Sequence, residues 1–272
     1  MSIKTGLETR PRLNYKELQK KKEKMEPSDY VDYVYSEVLM NELLPFASGY
    51  FKSLIVSKGY TASYAGYALG LSSNPLTNSS LTRMLSGAYA FSIPAVKMQR
   101  AKQIFFQEES IDEFMYGEKI PMEAFPIDLM LINTIRRLPA DRLATVKKFC
   151  KEREQLEPDP HLRFLEYKAQ NNSANVILDY TRTPKLLWLY NEERFKKASK
   201  TKQWACLSIV AGISLDYLLS TDYSDVDFFY RNKRNAKVPV SKEYLKLISP
   251  LTLADKVTLA KMLYENIETK QE

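Results

Sequence analysis

The sequence predicts an all-α protein with two helical domains, and three observations carry this prediction. Only 8 of the 272 residues are glycine, less than half of the roughly 7% in an average protein. Apolar residues recur three and four positions apart over long stretches, which is the spacing of one helix face. Residues that cap helices precede many of these stretches. The predicted domains are residues 30–155 and 185–272, with a connecting region at 156–184 and a polar, basic N-terminal arm at 1–29.

In the first domain, caps and prolines predict where each helix begins. Ser28, Thr61 and Ser110 are the expected N-cap residues, and Ser110 is followed three positions later by Glu113, as in a capping box. A proline in the first turn of a helix costs no hydrogen bond and opens three further helices. The predicted helices begin near residues 28, 44, 61, 78, 94, 110, 127 and 139.

In the second domain, residues 185–238 contain no proline, and two further helices follow. Ser241 is predicted to cap a helix that reaches Ile248, and Thr252 is predicted to cap the last helix. The expected apolar face of this last helix consists of Leu253, Val257, Ala260, Leu263 and Ile267.

Two short internal matches predict a pseudo-repeat. Residues 68–72 (ALGLS) are echoed by residues 210–214 (VAGIS), and residues 140–149 (ADRLATVKKF) are echoed by residues 254–263 (ADKVTLAKML). Both matches occur in the same order along the chain. We therefore expect the two domains to be divergent copies of one unit.

The residues around Gly212 have the pattern of a helix-turn-helix, in which a glycine at the turn adopts a backbone conformation that other residues resist. Residues 207–218 (LSIVAGISLDYL) resemble this motif in phage-repressor-like (lambda-repressor/XRE-type) DNA-binding proteins, and the chain is similar to two divergent copies in tandem. The resemblance implies two helix-turn-helix-containing helical domains. It also implies that Gly212 is the turn glycine, that Ile213 fills the core beneath it and that Leu218 points inward.

In the first copy, residues 79–87 (SSLTRMLSG) resemble the recognition helix of the same family. The resemblance implies that Leu81 and Met84 point inward. The side chains then expected to face double-stranded DNA are Asn78, Ser79, Thr82 and Arg83.

The two copies depart from the family pattern in different ways. Ten residues separate Gly70 from Leu81, whereas five separate Gly212 from Leu218, so the turn of the first copy is enlarged. In the second copy, Asp216 is unfavourable beside phosphates, so its helix is the weaker candidate for a groove.

Basic side chains outside these helices are the expected phosphate contacts. The chain has a net charge of +7 and a pI of about 9.1, and lysine and arginine supply most of the nonspecific affinity for DNA. For each candidate, an ordinary solvated position is the alternative interpretation. The candidates are Lys196, Lys197, Arg231, Lys233, Arg234 and Lys237.

The 18 tyrosines raise the further idea that bases of a single strand stack on them. Tyr60, Tyr64 and Tyr67 are at helical spacing, however, and this spacing favours packing between helices as the explanation.

The composition argues against catalysis and metal binding. One histidine, His161, and two separated cysteines, Cys150 and Cys206, are too few for a Cys/His zinc site. The sequence contains no glycine-rich phosphate loop and no familiar catalytic motif. No apolar run approaches the roughly 20 residues of a membrane-spanning helix, and the N-terminus has no apolar signal segment. We expect a cytoplasmic protein that is not an enzyme and has no cofactor, metal or membrane partner.

These features together predict a sequence-specific double-stranded DNA-binding protein that regulates transcription in a phage, plasmid or mobile element. The step from fold to transcription rests on the resemblance. The alternative is a helical protein–protein adaptor that retains a DNA-binding fold without binding DNA. Its partner would be another protein or, as a homodimer, a second copy of this chain.

Overall fold

The computed structural model describes residues 11–77, 79–87, 91, 93–153, 159–171, 179–190, 200–220 and 223–268. Within these ranges the chain is mostly helical, which confirms the predicted all-α class. A small three-stranded sheet accompanies the helices. None of the helices in these ranges is both long enough and apolar enough to cross a membrane.

The described helices and strands are mostly short. The helices are α1 (Tyr15–Lys22), α2 (Pro27–Tyr33), α3 (Leu44–Ser57), α4 (Ala62–Ala68), α5 (Ser79–Leu85), α6 (Met98–Phe105), α7 (Ile111–Tyr116), α8 (Pro126–Ile135), α9 (Ala140–Lys151), α10 (Pro160–Gln170), α11 (Thr201–Ala211), α12 (Leu215–Leu219), α13 (Lys242–Ile248) and α14 (Leu253–Glu268). The strands are β1 (Met122–Glu123), β2 (Phe228–Arg231) and β3 (Lys237–Pro239). Short 3-10 segments occur at Ala95–Lys97, Leu187–Tyr190 and Tyr223–Asp225.

Contacts between Cα atoms group the chain into two units, and each unit draws on two stretches of sequence. The first comprises the described residues of Met1–Ile120 and Asn175–Leu215, and the second those of Pro121–Ala174 and Asp216–Glu272. This grouping differs from the linear domains expected from the sequence. Both members of the 68–72 match lie in the first unit, and both members of the 140–149 match lie in the second. The two units are therefore not the two copies of the predicted repeat.

The core of the first unit is aromatic. Phe51 of α3 is fully buried, and its ring lies 5.9, 5.1 and 6.0 Å, centroid to centroid, from the rings of Phe91, Phe105 and Phe114. Most of these rings meet edge to face, the arrangement that their charge distribution favours. This cluster holds α3, α6 and α7 together, and α3 also contacts α4 and α5.

Helices α2 and α3 are joined by a π-helical segment, Val34–Leu43. Its last hydrogen bond runs from the Leu44 N–H to the carbonyl of Leu39, five residues earlier. Pro45 has no N–H to donate, and in an α-helix its ring would crowd the carbonyl four residues back. The wider π turn relieves that conflict. The predicted helix start near residue 44 is therefore a change of hydrogen-bonding pattern within one helical run.

Three of the five predicted caps form the expected side-chain hydrogen bond. The Thr252 hydroxyl accepts the Asp255 N–H at 3.1 Å, whereas Ser241 precedes α13 without a side-chain bond to it. The Thr61 hydroxyl accepts the N–H three residues later at 3.2 Å. Ser110 and Glu113 form the reciprocal capping box, with bonds of 3.1 and 2.9 Å. The prediction for Ser28 is wrong, because α2 begins one residue earlier, at Pro27. The fixed φ of proline suits the first helical position.

The second unit contains the three-stranded sheet, which the sequence analysis did not predict. Strand β1 pairs with β2 in parallel, with Met122 opposite Phe228. Strand β2 pairs with β3 in antiparallel fashion, with Tyr230 opposite Val238. The strands are only two to four residues long, too short for the alternating pattern that identifies a strand.

The buried face of α14 includes Ala260 and Leu263, as predicted, but also turns toward Lys256 and Leu259. Val257 is 40% exposed, whereas Lys256 and Leu259 are buried at 2% and 1%. The face turns a lysine inward because Asp128 of α8, itself buried, lies 2.7 Å from the lysine ammonium. Sequence periodicity assigns charged residues to solvent and could not foresee this partner.

Candidate nucleic-acid interface

Helix α5 is the predicted recognition helix, and its two faces are separated as expected. Leu81 and Met84 are each 2% exposed, whereas Thr82 and Arg83 are exposed. Residues three apart share a helix face, so the two apolar side chains anchor the helix while their neighbours face outward. Arg83 forms no ion pair with any residue that the structure describes. Its guanidinium is open to an acceptor on another molecule.

Several other predicted contacts lie beyond what is described. Asn78, Lys196 and Lys197 are outside the described residues. Ser79 is the first residue of α5, but its side chain is also outside the described part. Of the predicted DNA contacts in the first unit, Thr82 and Arg83 are therefore the two whose side chains the structure describes.

Two cations that the sequence analysis did not single out lie at the turn that ends α4. Gly70 has a φ of +68°, and its N–H donates to the Tyr67 carbonyl at 2.8 Å. A methyl group built on Gly70 would lie 3.4 Å from Lys97 Nζ and 3.9 Å from Arg100 Nη1. Both cations thus lie beside the C-terminus of α4, where the helix dipole favours positive charge. Lys97 and Arg100 are three positions apart, the spacing of neighbouring side chains on a helix, and this was the one signal in the sequence that could have identified them.

The hairpin formed by β2 and β3 carries the other predicted basic residues. Asn232 shapes its turn, because its side-chain oxygen accepts the N–H groups of Arg234 and Ala236 at 2.9 and 3.0 Å. Asn235 has a φ of 55°, a conformation that asparagine tolerates. This turn presents Lys233 and Arg234 to solvent as exposed side chains.

Two further positive charges face one another across the hairpin. Arg231 lies directly opposite Lys237, and like charges in this register destabilise a strand pair. The centroid of the Phe229 ring lies 4.6 Å from Lys237 Nζ and 5.9 Å from Arg231 Cζ. On the neighbouring strand, Glu123 Oε2 lies 3.6 Å from Arg231 Nε. Exposed contacts of this kind offset the repulsion by at most about 1 kcal/mol each. The hairpin therefore keeps a positive surface.

The second predicted recognition helix, α12, does not reach the surface. All of its residues, Leu215–Leu219, are buried, and Asp216 is fully buried. A helix that reads a groove must expose one face to the bases, so α12 has no face available for that role. The turn before it has the expected form, since Gly212 has a φ of +69° and Ile213 is buried.

Helix α1 covers the Gly212 turn. Lys22 Nζ donates to the Val210 carbonyl at 2.7 Å, and burial lowers the pKa of Lys22 to about 8. A methyl group on Gly212 would overlap the Tyr15 hydroxyl. Residues 15–22, which belong to the predicted polar arm, thus form a packed helix.

Buried charges in the second unit form two ion pairs that the sequence analysis missed. Lys256 Nζ lies 2.7 Å from Asp128, and Arg163 Nη1 lies 3.1 Å from Glu166. All four side chains are less than 10% exposed. Arg163 also donates to two backbone carbonyls just before α14. Because each charge has a partner, burial is tolerated and the pairs tie α8 and α10 to α14.

Nothing in the described ranges brings together three histidine, cysteine or acidic side chains that could hold a metal ion. Burial raises the pKa of Cys206 to about 12, so its thiol is protonated and unreactive at neutral pH. No protein-family model, curated protein or solved structure matches this chain. The exposed basic surfaces of α5, the Gly70 turn and the hairpin are thus the features from which a function is inferred.

Proposed function

We propose that this protein is a sequence-specific double-stranded DNA-binding protein and a transcriptional regulator of the phage, plasmid or mobile-element type. One observation carries the proposal. Helix α5 buries Leu81 and Met84 while it exposes Thr82 and Arg83. The resemblance of residues 79–87 to a recognition helix leads to the same surface.

The chemistry of this surface suits a major groove. The groove admits one α-helix, and arginine forms paired hydrogen bonds with the edge of guanine. Arg83 would supply that base contact, and the Thr82 hydroxyl would bond a base edge or a phosphate. Lys97 and Arg100, at the Gly70 turn of the same unit, would hold phosphates. A regulator of this kind acts because its occupancy of a DNA site changes the access of polymerase.

The hairpin of the second unit supports the proposal independently. Its four basic side chains lie on strands and at a tip that projects into solvent. A two-stranded ribbon of this kind can follow a groove or a phosphate backbone. Lys233 and Arg234 are the residues placed best for such contacts.

Binding of a labelled 20-base-pair duplex, followed by fluorescence anisotropy at about 50, 100 and 200 mM salt, tests the proposal. The variants are Arg83→Ala, Lys97→Ala with Arg100→Ala, and Lys233→Ala with Arg234→Ala. The control is Lys147→Ala with Lys148→Ala, which removes the same charge from exposed positions on α9.

Wild-type protein is expected to bind random DNA with a Kd of about 10⁻⁴ to 10⁻⁶ M, weakening steeply with salt. Each double variant that removes phosphate contacts should lower the salt slope by about 0.9 per contact, and the control should not. After selection of a preferred site, Arg83→Ala should cost about 1–3 kcal/mol at that site. Equal losses in the control and the test variants would contradict the assigned surface.

An adaptor is the second candidate function, and the burial of α12 favours it. A helix that resembles a DNA-reading element is used here for internal packing. If folded protein shows no duplex binding at about 50 mM salt, the DNA proposal fails. The adaptor then predicts self-association or partner binding, which analytical ultracentrifugation measures.

A further inference from the structure

The exposed tyrosines of α4 are not used for packing in the way that their spacing suggested. Tyr64 and Tyr67 are 44% and 45% exposed. Tyr60, just before the helix, is anchored because its ring meets the buried Phe105 ring edge to face at 5.8 Å. The Tyr60 and Tyr64 rings lie 5.0 Å apart, and those of Tyr64 and Tyr67 lie 6.2 Å apart. We call these three side chains the tyrosine row.

The rings of the tyrosine row do not cover one another. Their planes are inclined by 60° between Tyr60 and Tyr64 and by 46° between Tyr64 and Tyr67. Neither pair is stacked face to face, so each exposed ring offers aromatic surface to another molecule. Contiguous exposed aromatic surface costs free energy in water and marks a binding site more often than isolated side chains do.

Positive charge lies at one end of the row. Lys97 and Arg100 approach the Gly70 turn, which directly follows α4. Aromatic rings with neighbouring cations are the combination that proteins use to bind unpaired nucleotides, because bases stack on the rings while cations neutralise phosphates. In a duplex the base faces are stacked on one another, so intact double helix cannot use the rings in this way.

We propose that the tyrosine row binds an unpaired stretch of nucleic acid. Bases stack on Tyr64 and Tyr67, and Lys97 with Arg100 holds the adjacent phosphates. This site shares Lys97 and Arg100 with the proposed duplex surface but uses the tyrosine rings in place of α5. It is independent of Arg83 and does not require sequence recognition, because every base has a face that can stack.

The test uses full-length protein and a labelled 12-nucleotide oligo(dT), with anisotropy as the readout. A second probe of equal length carries abasic positions, so it keeps the phosphates but lacks several bases. The variants are Tyr64→Leu with Tyr67→Leu, which removes the rings, and Tyr64→Phe with Tyr67→Phe, which keeps them. The matched control is Tyr264→Leu, since Tyr264 on α14 is 49% exposed.

Loss of the ring beneath one stacked base weakens binding by roughly 5- to 150-fold. The leucine variant is therefore expected to lose at least about fivefold in affinity for oligo(dT), with the phenylalanine variant and Tyr264→Leu close to wild type. The abasic probe should bind wild type more weakly than oligo(dT). Thermal melting followed by circular dichroism checks that the variants are folded. Because the substituted positions are exposed, we expect the fold to be preserved.

The proposal would be overturned by no oligo(dT) binding by wild type, by equal binding of the abasic probe, or by an unchanged affinity in the leucine variant. An equal loss in the phenylalanine variant would also overturn it, because the rings would not be the contact. Duplex binding distinguishes the two proposals. Arg83→Ala should weaken duplex binding alone, and the leucine variant should weaken oligo(dT) binding alone.

Discussion

The turns at Gly70 and Gly212 share a sequence pattern and a conformation but not an environment. Both glycines have a φ near +70° and end a helix. The Gly70 turn is open, with two cations beside it, whereas Tyr15 and Lys22 cover the Gly212 turn. The helix that follows Gly70 exposes Arg83, and the helix that follows Gly212 is buried throughout. A local motif therefore specifies the turn, but its surroundings decide whether the turn is available for binding.

The second internal match shows the same contrast in the other unit. Arg142 of α9 and Lys256 of α14 occupy equivalent places in the two matched segments. Arg142 is half-buried at the edge of a cavity of about 130 Å³, whereas Lys256 is buried and paired with Asp128. The basic residue of one matched segment is thus half-buried, and that of the other belongs to the core.

The largest expected effect comes from breaking the buried pair. Lys256→Met should lower the free energy of unfolding by about 3–5 kcal/mol, because Asp128 is left buried without its partner. Arg142→Met should change it by less than about 1 kcal/mol. The double variant Asp128→Leu with Lys256→Met should recover most of the loss, since it removes both charges. Urea denaturation measures all three, and a double variant as unstable as Lys256→Met would refute this account.

A smaller difference is expected between the two turn glycines. Gly70→Ala should cost about 1–2 kcal/mol, which is the strain of alanine at positive φ. Its methyl group adds no clash, since it meets only ordinary van der Waals contacts. Gly212→Ala should cost about 1 kcal/mol more, because its methyl group also collides with the Tyr15 hydroxyl. Combination with Tyr15→Phe should remove that excess. Thermal or urea unfolding gives the values, and equal costs at the two glycines would show that α1 does not constrain the second turn.

The smallest effect is a pH dependence from Lys22. Its pKa is lowered to about 8 in the folded protein by burial, from an ordinary 10.5. Between these values the folded state releases a proton that the unfolded state keeps, so this lysine makes stability rise with pH. Because Lys22 is partly accessible to solvent, we expect this rise in the free energy of unfolding to be reduced to about 1 kcal/mol.

Lys22→Met should abolish that rise, so its melting temperature should fall relative to wild type between pH 7.5 and pH 10. Lys20→Met, at an exposed position of α1, is the control and should show a constant difference. A constant difference for both variants would mean that α1 does not bury Lys22 against the Gly212 turn in solution.

Structural features that are formed by residues close together in the sequence were predictable. The Thr61 cap and the Ser110 capping box follow from interactions within a few residues. So do the inward and outward faces of α5. The unpredicted features join distant residues: Lys97 with Arg100 near Gly70, and β1 beside β2. No local pattern encodes such approaches.

Local interactions along the chain specify the helices, the left-handed glycines at the turns and the apolar face of α5. These depend on backbone conformation and on hydrogen bonds that close within one or two helical turns. The burial of α12, the exposure of the α4 tyrosines and the position of Lys256 in the core depend instead on packing between distant segments. Burial removes a side chain from water at a cost that its partners must offset, and those partners come from segments far along the chain.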